Sequence, residues 1–398
     1  MELRISKPVI RSTPGQTRLE CTVKIGRKEY AIFIATPEEA SQMVSVRGEA
    51  FVCAFLMVAM KLRARLVCDF TLDETFLQNI SAAQGVLESW KVGFSRVPVV
   101  CTAVDTVPVS GSGVGSFFSG GVDSFYTLLK NKAGNSTPAL THLQLVQGFD
   151  IELFNVELFS ETTHRVAEIA KQFSVDLVTV QTNIREVTDL YVLWNYAHGG
   201  ALGAVAQFLS GGLSTVFVPS TDSYSQLFPW GSHPDLDRHW GMQTLQLIHD
   251  GNEANRTEKI AAYIAKSPAA LSHLRVCYKN IKAEYNCGKC SKCLRTQIEL
   301  RAAGVQHVSH LFTHVVTMDD VRGLNTREVA DRIHLEAALD YLKQTKSTDT
   351  ELMSALEQTL AKKYGFSLVW LVRGLVRKID AAFFGAKLYK FLSRHGIL

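Results

Sequence analysis

The sequence has little net charge, no long apolar run in its first half and no apolar segment behind its first residues. Its 42 lysines and arginines nearly balance 38 acidic residues, for a formal charge of +4, which argues against bulk electrostatic binding of nucleic acid. The apolar stretch Ala50–Met60 falls short of the ~20 residues that span a bilayer and predicts a buried helix. Since no export signal is visible, we expect a cytoplasmic protein without a membrane partner.

The composition is that of an ordinary globular protein. Of the 398 residues, 46% are hydrophobic and 20% are charged, which excludes general intrinsic disorder. At ~150 residues per domain, this length predicts two or three domains. Four of the eight cysteines stand singly in apolar segments and are expected in the core, whereas the other four cluster between residues 277 and 293. Without an export signal, such a cluster favours a metal site over disulfide bonds.

The pattern along the chain divides it into three segments. Residues 1–110 predict an α+β block that contains a β-hairpin around Gly26-Arg27-Lys28 and two helices. Residues 111–310 alternate strand and helix patterns, which is typical of an α/β domain with a parallel sheet and helices on both faces; such sheets bind ligands at the carboxyl ends of their strands. Residues 311–398 predict a helical extension. Within it, Ser367–Leu392 predicts a basic amphipathic helix that docks on the protein or meets a membrane surface or a partner.

The most informative segment is Ser119–Ser124, SGGVDS, between a predicted strand and a predicted helix. Gly120 and Gly121 permit backbone angles closed to other residues and let a ligand approach the main chain. The free N–H groups of a helix N-terminus favour a phosphate at the same place. A carboxylate beside phosphates, here Asp123, predicts a bridging Mg²⁺ ion. The segment is neither a Walker loop, since no Lys follows Gly121, nor the dinucleotide motif G-x-G-x-x-G.

SGGVDS resembles the signature of the PP-loop ATP pyrophosphatases, HUP-like α/β enzymes that cleave ATP between its α- and β-phosphates and leave AMP on the substrate. The resemblance implies that the loop holds the departing pyrophosphate together with Mg²⁺, and that Ser119, Asp123 and Ser124 take part in the reaction. The loop residues it implies as ATP ligands are Ser119, Gly120, Gly121, Val122, Asp123 and Ser124.

A second motif is formed by Cys277, Cys287, Cys290 and Cys293. Two overlapping C-x-x-C steps bring three thiols around one point, and Cys277 completes a set of four. Four thiolates suit a closed structural Zn²⁺ site. An iron–sulfur cluster uses the same ligands, and unligated core thiols are a further alternative. His273 is a possible substitute ligand, the favoured alternative being a surface histidine without a partner.

Together the two motifs are similar to those of the 7-cyano-7-deazaguanine synthases, over roughly residues 112–310. The resemblance implies that the zinc is structural and that the helix start Arg256–Ile260 holds the α-phosphate of ATP through Lys259 or Arg256. Arg185, which follows a predicted strand, is another candidate for binding a phosphate or carboxylate, the alternative being a cap or turn.

The substrate loop, Phe228–Asp237, keeps only the aromatic-Pro start of the family pattern. Trp230 either stacks a flat heterocycle or belongs to the core. His233–Asp237 contains possible metal ligands but is interpreted as a turn.

The resemblance implies an AMP-forming ligase that adenylates a small-molecule carboxylate, 7-carboxy-7-deazaguanine, and passes it to an amine to give an amide or nitrile. One alternative is the same activation with a protein partner as the amine acceptor, as in synthase-like proteins that resemble components of bacterial antiviral defence. The others are tRNA thiolation and a non-catalytic ATP-binding module. Cysteines committed to a metal argue against thiolation, and the intact Asp123 argues against a mere binding module.

Overall fold

The computed structural model describes residues 1–106, 111–280, 284–327 and 329–362. The predicted hairpin is confirmed, with two ten-residue strands pairing antiparallel around Gly26, whose φ of +62° suits glycine. The predicted helix at Ser367–Leu392 lies outside the described residues.

The N-terminal segment is a mixture of strands and helices, as predicted. Its elements are β1 (Glu2–Ile5), β2 (Val9–Thr13), β3 (Gln16–Ile25), β4 (Lys28–Pro37), α1 (Glu49–Leu62), β5 (Arg65–Cys68), β6 (Leu72–Asp73), α2 (Glu74–Ser89), β7 (Val99–Val100) and β8 (Val104–Asp105). The two short strands β7 and β8 pair with different partners, β5 and β6.

Strands and helices alternate through the second segment, as predicted. Its elements are β9 (Gly113–Phe117), α3 (Val122–Lys132), β10 (His142–Gln147), α4 (Val156–Gln172), β11 (Asp176–Thr182), α5 (Ile184–Thr188), α6 (Trp194–Phe208), β12 (Leu213–Pro219), α7 (Pro234–Asp237), β13 (Gln246–Asp250), α8 (Arg256–Ala262), α9 (Pro268–His273) and α10 (Ser291–Ala302). The third segment is helical as far as it is described: α11 (Met318–Gly323), α12 (Val329–Gln344) and α13 (Thr350–Leu360).

One mixed sheet runs through the first two segments in the order β13-β12-β9-β10-β11-β4-β3-β1-β5-β7, with β2 added beside β3. The pairs among β9 to β13 are all parallel, which confirms the expected parallel arrangement there. β4 joins β11 antiparallel through Ala35–Gln181 and Ile34–Thr182. The sheet as a whole is therefore mixed, and it continues across the predicted boundary at residue 110.

Both faces of the parallel strands are covered, as the sequence predicts for an α/β fold. Phe117, Val180 and Val216 share a core with α1, α2 and α6, whereas Val114 and Leu143 share a second core with α3, α4 and the clustered cysteines. Adjacent strand residues alternate between the cores because successive side chains point to opposite faces. A third core joins α10 to α11, α12 and α13.

The strand order reverses between β9 and β12. β10 and β11 lie on one side of β9, and β12 and β13 lie on the other. In open α/β sheets, ligands bind outside the carboxyl ends of the strands at such a reversal. The glycine loop at Ser119–Gly121 and the segment Ser220–Asp222 follow these two strands, so both lie at that crevice.

Among the described residues, no helix combines the length and the hydropathy needed to cross a bilayer. The apolar stretch Ala50–Met60 lies within α1 and is almost fully buried, as predicted. Its close neighbour is α6, where Gly200 packs directly against the carbonyl oxygen of Cys53.

Candidate active site

The loop Ser119–Gly121 turns the chain from β9 into α3. Gly120 has a φ of +76°, which favours glycine, and its carbonyl oxygen accepts a hydrogen bond of 2.7 Å from the backbone N–H of Arg275. Gly121 caps α3 without a side-chain hydrogen bond, which leaves the first N–H groups of the helix available to a ligand. The position of the loop is therefore fixed by a backbone hydrogen bond to Arg275, while the helix N–H groups stay free.

Beside this loop lies a pocket of about 40 Å³, here called the small pocket. Five of the six loop residues predicted to bind ATP line the small pocket, and Gly120 does not. Three basic side chains also line it, and only Arg256 among them was a sequence candidate. The other two, Arg275 and Lys292, come from residues after α9 and from α10.

Asp123 is the acidic group of the small pocket. Its Oδ2 accepts hydrogen bonds from Thr221 Oγ1 at 3.1 Å and from Arg256 Nη1 at 3.2 Å. Its Oδ1 is buried and has no hydrogen-bond partner. A buried carboxylate oxygen without a partner is costly, and a divalent cation or a ligand donor would satisfy it.

Arg256 is almost fully buried and holds Asp123 in place. Its Nε donates to Glu299 at 2.9 Å and its Nη2 donates to Thr296 at 2.9 Å, both on α10. The guanidinium thereby joins the starts of α8 and α3 to α10. Arg256 lines the small pocket, and the contacts of its guanidinium are with two carboxylates and a hydroxyl group.

Lys259, the other predicted α-phosphate ligand, is fully buried and lines neither the small pocket nor the larger cavity. Its Nζ donates to the carbonyl oxygen of Ser220 at 2.6 Å, and burial lowers its pKa. It therefore fixes the chain after β12. The neighbouring Asp222 does face the cavity, and burial together with the charge of Asp123 raises its pKa to about 6.

Arg185 lies behind the cavity wall. Its Nη1 donates to the carbonyl oxygen of Phe149 at 2.6 Å, its Nε pairs with Asp189 at 3.2 Å, and its guanidinium stacks on the Trp194 ring at 4.4 Å. It is not among the residues that line either pocket. The structure thus places it as a support for two cavity residues.

A larger cavity of about 380 Å³, here called the large cavity, adjoins the small pocket. Ser119, Asp123, Ser124, Asp150 and Lys292 line both. Away from the glycine loop its wall is aromatic, formed by Phe149, Trp194, His198, Phe228 and Trp230. Trp230 lies 5.3 Å from the Phe228 ring and 5.6 Å from the His198 ring, both in edge-on contacts.

His198 links the aromatic wall to the substrate loop through backbone contacts. Its Nδ1 donates to the carbonyl oxygen of Trp194 at 3.0 Å, and its Nε2 accepts from the N–H of Ser232 at 3.1 Å. Burial lowers its pKa, which favours this neutral form. On the same helix, Gly199 packs so closely on Gly231 that a Cβ would overlap the Gly231 carbonyl oxygen.

Asp150 also faces the large cavity and was not a sequence candidate. Burial alone would raise the pKa of Asp150, but the positive charges of Lys292, Arg185 and Arg275 lower it. His249 was not a sequence candidate either, and Asp237 was considered only as a possible metal ligand within a turn; the two form a buried pair with 2.6 Å between Oδ2 and Nδ1. Because these groups come from separate elements, no local motif marks them. The expected turn at His233–Asp237 is present as α7, with His233 as its cap.

The four clustered cysteines meet at one point, as predicted. Cys277, Cys287, Cys290 and Cys293 are buried, and their Sγ atoms lie within 4.8 Å of one another; His273 is outside this group. Cys287 Sγ and Cys293 Sγ are 3.9 Å apart, close to the ~3.8 Å expected when four sulfurs surround zinc at ~2.3 Å. The cluster can therefore hold a metal ion such as zinc. Lys292, between two of its cysteines, reaches the small pocket.

Comparisons with profiles of known protein families, with curated proteins and with solved structures found no match for this chain.

Proposed function

We propose that the protein is an ATP-dependent, AMP-forming ligase that adenylates a carboxylate and transfers the acyl group to an amine. The observation that carries the proposal is the small pocket: Asp123 Oδ1 is buried without a partner, beside a glycine turn and three basic side chains. This combination of one carboxylate oxygen, cations and free helix N–H groups fits a polyphosphate bound with a divalent cation.

Asp123 Oδ1 is the residue atom that fits Mg²⁺, which would neutralise charge on the departing pyrophosphate. Arg256 keeps the Asp123 carboxylate in one orientation through its bond to Oδ2. Arg275 and Lys292 would stabilise the charge on the leaving phosphates, because fixed cations act strongly in a site that excludes water. Arg275 Nε is buried and has no hydrogen-bond partner, so it is available to an anion.

The large cavity is the proposed site of the acyl substrate. Its volume of about 380 Å³ is typical of small-molecule sites, and its aromatic wall suits a flat heterocycle such as a 7-deazaguanine carboxylate, the substrate implied by the resemblance. The substrate carboxylate would attack the α-phosphorus, the bond to the bridging oxygen would break, and pyrophosphate would leave with the electron pair. Positioning and charge stabilisation would supply the rate enhancement.

We assign Zn²⁺ to the cysteine cluster, with a structural role. Four thiolates close the coordination sphere, and backbone N–H groups of Cys290 and Cys293 donate to Cys287 Sγ and Cys290 Sγ at 3.4 Å. Since Cys277 itself lines the small pocket, the metal would fix one wall of the phosphate site.

The experiment measures pyrophosphate release from ATP, Mg²⁺ and 7-carboxy-7-deazaguanine, with AMP identified as the nucleotide product. Asp123→Asn should lower the rate by at least 100-fold. Asp176→Asn changes an exposed carboxylate at the opposite end of the sheet and should leave the rate unchanged. ADP as the product, or full activity of Asp123→Asn, would contradict the proposal.

A protein amine as acceptor is a second candidate, favoured by two exposed apolar side chains that closely follow a cavity residue in the chain. Phe154 is 74% exposed and Val156 is 64% exposed, and both follow Asp150, which lines the cavity. Exposed apolar side chains suit contact with a macromolecule better than reaction with ammonia. Pyrophosphate release without an ammonia-dependent amide product would support this candidate, whereas efficient amide formation from ammonia would favour the small amine.

A further inference from the structure

The pair formed by Asp237 and His249 is held rigidly in the cavity wall. The side chain of Asp237 is 1% exposed and that of His249 is 6% exposed. Asp237 Oδ2 also accepts from Ser232 Oγ at 2.6 Å, and Oδ1 accepts from the N–H of His233 at 3.3 Å. Because both carboxylate oxygens accept hydrogen bonds, Asp237 acts as an ionised acceptor and His249 Nδ1 carries the proton between the two.

In neutral His249, the lone pair on Nε2 is consequently free to accept a proton. His249 and Ser232 both line the large cavity. The next residue of β13, Asp250, bonds to Thr127 and Lys130 of α3 on the other face of the sheet. Alternation along the strand therefore places His249 on the cavity side.

The other two histidines that line the cavity cannot accept a proton in this way. His198 uses both ring nitrogens in backbone hydrogen bonds. His233 Nδ1 accepts from the N–H of Asp235 at 3.1 Å, so its Nε2 carries the proton in the neutral form. Among the histidines described at this cavity, His249 alone combines an uncommitted lone pair with a carboxylate that stabilises its protonated form.

Ser232 is not placed to act as a nucleophile activated by this pair. Its hydroxyl donates to the same carboxylate oxygen as His249 and lies 3.3 Å from Nδ1, the nitrogen that carries the proton. In a catalytic triad the serine bonds to the opposite ring nitrogen. Ser232 therefore orients Asp237.

We propose that His249, oriented by Asp237, is the general base that deprotonates the acceptor amine; this rests on the proposed ligase function. The amine nitrogen forms a bond to the acyl carbon, its proton passes to His249 Nε2, and the carbon–oxygen bond to AMP breaks with AMP taking the electron pair. Asp237 is a positioning residue that stabilises the imidazolium formed.

The test separates the two half-reactions. In His249→Gln, the first-turnover release of pyrophosphate without an amine should stay within about twofold of wild type, since the base is not used there. Amide formation from ammonia should fall ~100- to 10,000-fold, the usual contribution of general base catalysis. Asp237→Asn should show the same split with a smaller loss. His239→Gln, in the same segment but not lining the cavity, is the matched control and should behave as wild type.

Hydroxylamine distinguishes a base from a structural residue, because after attack its nitrogen is far more acidic than that of ammonia and loses the proton to water without help from a base. The fall in the rate of product formation in His249→Gln, relative to wild type, should be at least tenfold smaller with hydroxylamine than with ammonia. Equal deficits with both amines, or loss of the pyrophosphate burst in both variants, would overturn the assignment. If wild type itself releases no pyrophosphate, the ligase function is wrong and the assigned role of His249 falls with it.

Discussion

The two ends of the candidate site are held together by different kinds of contact. At the end beside the glycine loop, here called the phosphate end because phosphates are proposed to bind there, polar side chains contact one another: Arg256 bonds to Asp123, Glu299 and Thr296. At the aromatic end, side chains contact the backbone, as His198 does at both ring nitrogens. The first arrangement depends on the identity of each residue, whereas the second depends mainly on the path of the chain.

This difference predicts which end of the cavity tolerates substitution. A buried guanidinium between two carboxylates allows few substitutions, because each loss leaves a buried charge without a partner. The substrate loop is fixed by backbone groups of Gly231 and Ser232, so its other side chains can change without loss of position.

The largest effect is expected at the cysteine cluster, which forms one wall of the phosphate end. Cys290→Ser should reduce bound metal from about one ion per chain to a small fraction, because a structural zinc site contributes on the order of 10 kcal/mol to folding. Cys101→Ser, at a half-buried cysteine outside the cluster, should retain the metal. Elemental analysis of both variants checks this, and unchanged metal in Cys290→Ser would refute the ligand assignment.

The next effect tests the charge network itself. Arg256→Met should destabilise the protein by about 3–5 kcal/mol, because Glu299 is then buried as an unpaired carboxylate. Adding Glu299→Gln should recover much of that loss, since the buried charge is removed as well. Arg322→Met, which breaks an exposed pair with Asp319, should cost under about 1 kcal/mol.

Urea unfolding of these three variants gives the comparison. A double variant no more stable than Arg256→Met alone would show that the lost stability comes from packing at α8 and α10. In that case the two ends of the cavity would not differ in the way proposed, because contacts between charged side chains would not stabilise the phosphate end.

The sequence predicts those features that are local in the chain. The strand, glycine turn and helix around Ser119–Ser124 fall within a few residues, and the four cysteines fall within one short stretch, so spacing alone indicates both sites. β13 and its His249 were not predicted. Their chemistry appears only when the sheet places β13 beside β12 and brings α7 against it.

The contacts of single basic residues could not be predicted for a related reason. The resemblance implies Lys259 as a ligand of the α-phosphate, whereas in the structure its Nζ donates to the carbonyl oxygen of Ser220. Arg275 and Lys292 do line the small pocket. Arg275 has no distinctive neighbours in the sequence, and Lys292 stands out only because it lies between two of the clustered cysteines. Residue type predicts what a side chain can bind, whereas tertiary packing determines which partner lies within hydrogen-bond distance.

The aromatic end offers a smaller, steric test. Gly199→Ala should destabilise the protein by about 1–3 kcal/mol, because the added methyl group overlaps the Gly231 carbonyl and must displace the substrate loop. Gly323→Ala places a methyl group in open space and should change stability by well under 1 kcal/mol. Urea unfolding measures both, and equal effects would show that the contact between α6 and the loop does not hold the aromatic end.

The smallest effect concerns Asp222, which lies where the two ends meet. Its pKa of about 6, against 3.8 in a solvated chain, means that the native state binds its proton more tightly than the unfolded state does. Stability therefore falls as pH rises from about 4 to 6, and the full penalty remains above that range. Asp222→Asn removes the penalty and, allowing for partial exposure, should stabilise the protein by about 1 kcal/mol at neutral pH. Without magnesium, thermal unfolding should show this gain at pH 7.5 and a smaller one at pH 5. A gain of equal size at both pH values would mean that ionisation of the Asp222 carboxylate does not destabilise the protein. The charge of Asp123 would then have no effect on the segment after β12.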